Sequence, residues 1–298
     1  MTLRPSTVTE LAALVAESAA RHRTFRLVGC GTWLDGGAPV ATGAEPLHLD
    51  AFSGVLEYEP GDLTITVGAT TTIAELDAVT VAHNQWCPLS PWGGDDGSVG
   101  ATIATATPGP FAHALGLPRD LILGLECVDG TGKVLRPGGK VVKNVAGFDL
   151  VRLMTGSWGT LAAITSVSLR LRARPAVDET WHVPLDDGAA ARAQDTLRRS
   201  ITPPIACEVT TAGLLDTATQ AGLLVRIAGN AAVVAAARAE VAAFGDARRV
   251  DPSSWTEWRA RKARRVPRIP SSPEVRALND GVRRAFDPAH ILNPGIMG

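Results

Sequence analysis

One stretch of the chain reads Lys143-Asn-Val-Ala-Gly-Phe-Asp-Leu-Val-Arg-Leu-Met-Thr-Gly-Ser-Trp-Gly-Thr-Leu161. It joins a short helical pattern to a Gly-Ser-x-Gly-Thr turn, and a β-rich segment follows as far as Leu171. Glycine and small hydroxyl side chains in such a turn allow the backbone to come close to another group. We therefore expect the main chain to approach a ligand here.

Two earlier loops have the same composition as this turn. They are Val28-Gly-Cys-Gly-Thr32 and Gly97-Ser-Val-Gly-Ala-Thr-Ile-Ala-Thr-Ala-Thr-Pro-Gly109. The first has Leu34 where a Rossmann fingerprint needs its third glycine, and the sequence contains no P-loop motif. One glycine loop is usually only a tight turn. Three loops that share serine and threonine indicate a large anionic ligand held by backbone N–H groups, and a dinucleotide fits that description.

The composition is that of a globular protein with no bias toward nucleic acid or lipid. The chain has 298 residues, 45% of them hydrophobic and 20% charged, and a formal net charge of −1. This length allows a sizeable core in one large or two modest domains. The sequence shows no apolar segment of signal-peptide or transmembrane length.

The four cysteines are Cys30, Cys87, Cys127 and Cys207, and no two of them form a CxxC pair. Neither a zinc site nor a cysteine-ligated iron–sulfur cluster is predicted from this spacing, and we predict no metal. We expect free and mostly buried thiols in a reducing compartment, and therefore a cytoplasmic protein.

Mixed α and β elements are predicted up to residue 175. Capping-box spacings begin helices after Thr7 and Thr72, and a Pro-Gly-Asp turn joins two of the strands. The predicted strands are 25–28, 55–58, 63–67, 121–128, 133–136 and 161–171.

A different pattern follows Pro175, in the order β-α-β-β-α-β of a ferredoxin-like unit. The predicted segments are strand 181–185, helix 187–199, strands 205–209 and 223–227, helix 231–244 and strand 248–250. We therefore predict one domain over residues 1–175, completed by the tail 276–298, and a small α/β domain over 176–275.

The ordered loops resemble those of flavoproteins of the vanillyl-alcohol-oxidase type, which have a PCMH-type FAD-binding domain. The run Lys143–Asp149 is particularly similar to the FAD-binding subunits of glycolate oxidases. The ending Phe286-Asp-Pro…Leu292-Asn-Pro-Gly295 is similar to the family's tail, which returns to the flavin domain. The resemblance covers residues 25 to 175 and this tail. It implies an α+β fold, with a two-lobed FAD-binding domain and a small ferredoxin-like (βαββαβ) cap.

The resemblance also implies which residues hold FAD. The first loop would wrap the pyrophosphate, the second would also face the isoalloxazine ring, and the third would enclose the adenosine end. Because the first loop contains no histidine, we expect FAD to bind without a covalent link. The implied cofactor-binding residues are Val28, Gly29, Cys30, Gly31, Thr32, Pro88, Gly97, Ser98, Val99, Gly100, Thr102, Ile103, Thr105, Asp120, Gly156, Ser157, Gly159, Thr160, Ile164 and Asn293.

Two residues are candidates for a role in the chemistry. Oxidation of a hydroxy acid by a flavin needs a base, and His113 is the best placed of six histidines, none of which has metal-ligand spacing. The resemblance makes Lys143 a candidate to stabilise negative charge on the flavin ring. The His-rich metal and substrate motif of the larger glycolate oxidase subunits does not occur after Pro175.

A basic run, Arg259-Ala-Arg-Lys-Ala-Arg-Arg265, lies beside Trp255 and Trp258. Basic residues with aromatic neighbours can bind nucleic acid, but the net charge of the chain disfavours that reading. We expect a solvated helix face, and a docking surface for an acidic patch on a partner stays open.

The function that the resemblance implies is that of an FAD-dependent oxidoreductase subunit acting on a 2-hydroxy acid such as glycolate. Its partners would be a larger flavin subunit and an iron–sulfur subunit, to which electrons pass. Such a protein would be cytoplasmic, or peripheral to the inner membrane through its partners.

Other functions stay open. One is a non-catalytic FAD subunit that relays electrons or stabilises a complex. Another is the FAD subunit of a molybdenum hydroxylase, or a reductase of cell-wall precursors, although the run Lys143–Asp149 disfavours both. A module that has lost FAD is disfavoured by the intact loops.

Overall fold

The computed structural model describes residues 3–139, 149–216, 218–261 and 272–297. Its helices are α1 Val8–Ala20, α2 Ile73–Val81, α3 Val99–Thr105, α4 Ala112–Leu115, α5 Pro118–Leu121, α6 Leu150–Met154, α7 Asp187–Arg198, α8 Ala231–Ala242, α9 Ser254–Arg261 and α10 Pro273–Phe286. Its strands are β1 Phe25–Val28, β2 Glu45–His48, β3 Val55–Glu59, β4 Thr64–Gly68, β5 Gln85–Trp86, β6 Ile122–Asp129, β7 Val134–Leu135, β8 Ala162–Arg170, β9 Arg172–Ala173, β10 Val177–Pro184, β11 Ala206–Thr210, β12 Gly222–Gly229 and β13 Arg248–Val250.

The centre of the first half of the chain is an antiparallel sheet in the order β3-β4-β8-β6-β7. Strand β8 lies in its middle and alternates as predicted, with Thr165, Val167 and Leu169 buried and Ser166 and Ser168 less so. A sheet face that alternates in this way packs on a core. One core lies between this sheet and helices α2 and α3, and a second joins the sheet to α1 and the β1–β2 pair.

The C-terminal tail lies against β1, which also pairs in parallel with β2. The N–H of Phe25 donates to the carbonyl of Ile291 at 2.7 Å, and the N–H of Asn293 donates to the carbonyl of Phe25 at 2.9 Å. The buried carboxylate of Asp287 accepts from the N–H groups of Ile291 and Leu292 at 3.0 and 2.9 Å. A buried carboxylate needs such donors, so Asp287 holds the tail in its turn.

The second half of the chain forms an antiparallel sheet in the order β11-β12-β10-β13, with α7 and α8 packed on one core. In chain order this is β-α-β-β-α-β, with β10 and β12 in the middle of the sheet and β11 and β13 at its edges. The predicted ferredoxin-like unit and the α+β fold are therefore confirmed.

Local signals were reliable for most elements. The side chain of Thr7 accepts from the N–H of Glu10, and Thr72 and Glu75 form a complete capping box. The parallel strand β2, the β5–β9 pair and helices α9 and α10 were not predicted, although the apolar residues of α10 recur at helical spacing. Most of the run Lys143–Asp149, including Lys143 itself, lies outside the described residues.

The expectation of a solvated face at the basic run is wrong for its first residue. Arg259 is only 4% exposed, and Trp255 and Trp258 are buried with it. These tryptophans pack with Phe111 of the first half and with Leu224 of β12 in one apolar cluster. Residues 262–265 of the run lie outside the described ranges.

Candidate cofactor-binding site

The three glycine loops meet at one cleft between β1, α3, the end of the third loop and the C-terminal tail. The cleft opens to solvent, and about 110 Å³ of it is accessible to water-sized molecules. Its lining residues are Arg26, Leu27, Gly29, Cys30, Gly31, Thr32, Trp33, Leu34, Gly36, Leu49, Ala69, Thr70, Ser98, Gly100, Ala101, Ala104, Thr105, Trp158, Gly159, Ala162, Ile164, Asn293 and Ile296.

The first loop presents open backbone to the cleft. Gly31 has a φ of +76°, and a Cβ built on it would meet no atom within 4 Å. Within the described part of the chain, no acceptor takes the N–H of Cys30 or of Gly31. Backbone N–H groups at a glycine turn with positive φ form the kind of concavity that binds phosphate oxygens.

The second loop packs tightly against Ala69, the residue that follows strand β4. The N–H of Gly100 donates to the carbonyl of Ala69 at 2.7 Å, and a Cβ on Gly100 would lie 2.7 Å from the Cβ of Ala69. The Oγ of Ser98 caps α3 by accepting from the N–H of Ala101 at 3.2 Å, and it would lie 3.1 Å from a Cβ on Gly29. Glycine is therefore required where α3 approaches β4 and where the first two loops touch.

The third loop closes the cleft with Trp158. This residue has a φ of +54°, and its N–H donates to the carbonyl of Ala104 at 2.7 Å. Trp158 is 5% exposed and lines the cleft, yet its indole N–H has no partner among the residues that the structure describes. A buried indole N–H normally has an acceptor, but this one is closed off from the open space of the cleft and is not placed to bind a ligand there.

Asn293 joins the tail to two of the loops. Its Oδ1 accepts from the N–H of Leu27 at 2.8 Å, and its Nδ2 donates to the carbonyl of Trp158 at 2.8 Å. The side chain is 4% exposed, so both bonds are shielded from water. A residue at the far end of the chain thereby fixes the separation of β1 and the third loop.

About half of the predicted cofactor-binding residues line this cleft. They are Gly29, Cys30, Gly31, Thr32, Ser98, Gly100, Thr105, Gly159, Ile164 and Asn293. The structure thus brings together at least one member of each predicted loop and the tail.

The other predicted residues lie behind this lining. Val99 and Ile103 are fully buried in the core, because the 3.6-residue period of α3 turns them away from the cleft. The carboxylate of Asp120 accepts from the N–H of Leu117 at 2.9 Å and so caps α5. The residues that do not line the cleft are Val28, Pro88, Gly97, Val99, Thr102, Ile103, Asp120, Gly156, Ser157 and Thr160.

Arg26 is the functional candidate that sequence reasoning missed. In the part of the chain that the structure describes, no other charged side chain lines the cleft. Its Nη2 donates to the carbonyl of Leu34 at 3.2 Å, and burial lowers the pKa of the guanidinium below its usual value. The only sequence signal was a charged residue inside the apolar strand Phe25–Val28. Thr70 and Trp158 also line the cleft and were missed.

His113 lies at the contact between the two halves of the chain. Its Nε2 is 3.1 Å from the carbonyl oxygen of Pro204, and it does not line the cleft. Burial lowers the pKa of the ring, and the nearby Arg198 lowers it further, so His113 is uncharged at neutral pH. These contacts favour a structural role, and its catalytic role stays a prediction, as does that of Lys143.

Comparison with known proteins gives one family and several relatives. Residues 1–138 match a family model described as an FAD binding domain. The glycolate oxidase subunit GlcE of Escherichia coli (strain K12) is 36% identical over 140 residues, which make up 47% of this chain and 39% of that protein. The D-lactate dehydrogenase of Archaeoglobus fulgidus is 32% identical over 169 residues, which make up 57% of this chain and 38% of that protein. The chain thus spans less than half the length of these curated relatives.

A solved structure of alkyldihydroxyacetonephosphate synthase has the same fold. It superposes with a TM-score of 0.68 over 86% of this chain and 53% of that one, at 18% sequence identity. At this identity the match concerns the fold alone. No helix within 3–139, 149–216, 218–261 or 272–297 is long and apolar enough to cross a membrane.

Proposed function

From the FAD binding domain that this chain carries, we propose that the protein is an oxidoreductase subunit acting on a 2-hydroxy acid such as glycolate or D-lactate. The family match confirms FAD as the cofactor and confirms the resemblance to FAD-linked oxidoreductases. The observation that carries the proposal is that three glycine loops meet at one cleft. There the N–H groups of Cys30 and Gly31 have no acceptor among the described residues. The substrate class is taken from the names of the relatives, a glycolate oxidase subunit and a D-lactate dehydrogenase.

The residues of the cleft fit a dinucleotide with two negative charges. The open N–H groups of Cys30 and Gly31 and the guanidinium of Arg26 are donors suited to a pyrophosphate. The apolar side chains of Ile164 and Ile296 give a surface for a ring. When bound, the flavin supplies a hydride acceptor, and the protein supplies its position and polarity.

We further propose that electrons leave to partner subunits, a larger flavin subunit and an iron–sulfur subunit. The first supporting fact is that the Escherichia coli relative is itself named as a subunit. The second is that no two of the four cysteines of this chain form a CxxC pair for an iron–sulfur cluster, so another subunit would have to hold one. A cytoplasmic location, or peripheral attachment to a membrane through such partners, is part of the same proposal.

A non-catalytic FAD subunit is the second candidate, and the cleft itself favours it. Among the described lining residues, none is a histidine, aspartate or glutamate that could take the hydroxyl proton of a substrate. His113 makes its contact at the other domain instead. In this alternative the chain binds FAD and relays electrons, while a partner binds the substrate.

The test is the visible spectrum of the purified full chain, followed by anaerobic addition of glycolate or D-lactate. We expect a flavin spectrum with near-stoichiometric FAD released on denaturation. Bleaching by either acid would support autonomous oxidation, whereas bound flavin that neither acid reduces would favour the relay subunit. A colourless protein that also fails to take up added FAD would contradict both.

A further inference from the structure

Helix α9 of the second half of the chain packs on the segment that leads into the second glycine loop. The indole rings of Trp258 and Trp92 have their centroids 4.8 Å apart. The N–H of Gly93 donates to the carbonyl of Arg259 at 3.0 Å. The two halves therefore meet through main chain and side chains at residues 91–95.

Arg259 makes the polar contacts of this interface. Its Nη2 donates to the Oδ1 of Asp95 at 2.7 Å, and its Nη1 donates to the carbonyl of Pro91 at 3.3 Å. The side chain is only 5% exposed, and its Nε has no partner among the residues with described positions. A planar guanidinium that binds two acceptors fixes their relative position, which a lysine would not do.

The segment held by Arg259 runs directly into the cofactor cleft. The carbonyl of Asp95 accepts from the N–H of Ala74 at 2.9 Å, and the carbonyl of Gly97 accepts from the N–H of Ile73 at 3.0 Å. Ser98, the next residue, lines the cleft and caps α3. The path from Arg259 to the cleft therefore consists of hydrogen bonds along a single short segment anchored on α2.

We propose that Arg259 is a positioning residue for the cofactor. By holding Asp95 and Pro91 it keeps Ser98 and Gly100 in the conformation that receives FAD, and it thereby couples the ferredoxin-like domain to the cofactor site. The first residue of the basic run would then have a structural role at the cofactor site, in place of the solvated face or the nucleic-acid contact considered above. The inference rests on the proposed function only in taking FAD as the ligand of the cleft.

The experiment compares Arg259→Met and Asp95→Ala in the full chain. FAD dissociation constants are measured by quenching of flavin fluorescence, together with the visible circular dichroism of the bound flavin and the Tm of each FAD-free protein. We expect each substitution to weaken FAD binding at least tenfold and to change the dichroism. The double variant should bind FAD no more weakly than the weaker single variant, because both remove the same contact.

A matched control is Arg261→Met in the same helix. Arg261 pairs with Asp216 at 2.8 Å within the second half of the chain and is more exposed. Its replacement should leave FAD affinity and dichroism unchanged. Asp95 is 40% exposed, so Asp95→Ala tests the proposal even if Arg259→Met does not fold.

The negative results have different meanings. If the wild-type chain takes up no FAD, the proposed function fails and this inference fails with it. If the wild type binds FAD and Asp95→Ala binds it equally well with the same dichroism, the inference alone is overturned. A lowered Tm with unchanged FAD binding would also overturn it, because that is the signature of a purely structural contact.

Discussion

At the scale of single residues, Arg26 is the clearest candidate for binding a ligand in the cleft. It is partly buried beside the first loop, and among the described residues the one acceptor of its hydrogen bonds is a carbonyl oxygen and not a carboxylate. Burying a cation without a counter-charge is unfavourable. A bound pyrophosphate would supply the counter-charge and offset that cost, so we expect Arg26 to contact the phosphates.

Replacing Arg26 with alanine should weaken FAD binding by about 10- to 100-fold. The loss corresponds to one hydrogen bond between charged groups, about 1.5–3 kcal/mol. The measurement is a titration of the FAD-free chain with FAD, repeated with riboflavin, which lacks both phosphates. Riboflavin affinity should change little.

Arg21 provides the control for Arg26. It lies on the surface and pairs with Glu17 one helical turn away, so Arg21→Ala should leave both affinities as they are. An equal loss of FAD and riboflavin affinity in Arg26→Ala would show that the arginine acts through the shape of the cleft and not on the phosphates.

At the scale of elements, helix α3 decides the shape of the cleft because one of its sides packs in the core and the other lines the cleft. Val99 and Ile103 anchor it in the core, while Ser98, Gly100 and Thr105 line the cleft. The helix lies so close to β4 that the contact at Gly100 has no room for a methyl group. A small shift of this helix would therefore change the second loop as a whole.

Gly100→Ala should displace α3 and lower both stability and FAD affinity. A new Cβ would lie 2.7 Å from the Cβ of Ala69 and 2.8 Å from its carbonyl oxygen. Overpacking of this kind costs about 1–3 kcal/mol. Urea unfolding gives the loss of stability, and FAD titration gives the loss of affinity.

Gly61→Ala is the matched control for Gly100→Ala, because a Cβ at Gly61 meets no atom within 4 Å. It should behave as the wild type in both measurements. If Gly100→Ala is as stable as the wild type, α3 and β4 are further apart than the 2.7 Å contact at Gly100 indicates.

At the scale of the whole molecule, one histidine lies at the contact between the two halves of the chain, and another is buried in the second sheet. His113 of the first half bonds Pro204 of the second, and His182 is 3% exposed beside Thr210 in the sheet of the second half. Burial is the main reason why the pKa of each ring lies below its usual value, and nearby arginines add to it. The folded protein therefore resists protonation at both places.

Stability should fall as the pH drops below about 6.5, the usual pKa of an unfolded histidine. The unfolded chain binds these protons more readily than the folded one, so acid favours unfolding, and the stability is fully present above that pH. The buried His182 can contribute a slope of up to about 1.4 kcal/mol per pH unit, and the exposed His113 contributes less. The measurement is the free energy of unfolding in urea between pH 7.5 and 5.5.

His182→Gln should reduce this dependence, because glutamine keeps a polar group near Thr210 and does not titrate. The control is the exposed His22, replaced by asparagine, which tolerates its φ of +52°. The same slope in His182→Gln and in the wild type would exclude His182 as the source.

Local chemistry explains what could be predicted. Capping boxes at Thr7 and Thr72, the alternation of β8 and the β-α-β-β-α-β order each depend on residues that are close in sequence. The composition of the glycine loops also identified the ligand class, because a turn that needs positive φ or close approach selects glycine. The roles of Arg26 and Trp158 have no such local mark.

The sequence by itself therefore determined most of the elements, the β-α-β-β-α-β order of the second half and the three glycine-rich loops. Only the tertiary structure decided which members of those loops face the cleft, because a helix such as α3 turns neighbouring residues to opposite sides. It also brought in groups that lie far apart in the chain, as when Asn293 bridges Leu27 and Trp158 or Arg259 holds Asp95. Such contacts form only when the whole chain packs. The packing energy that stabilises them is shared among many residues, and no local sequence pattern marks those residues.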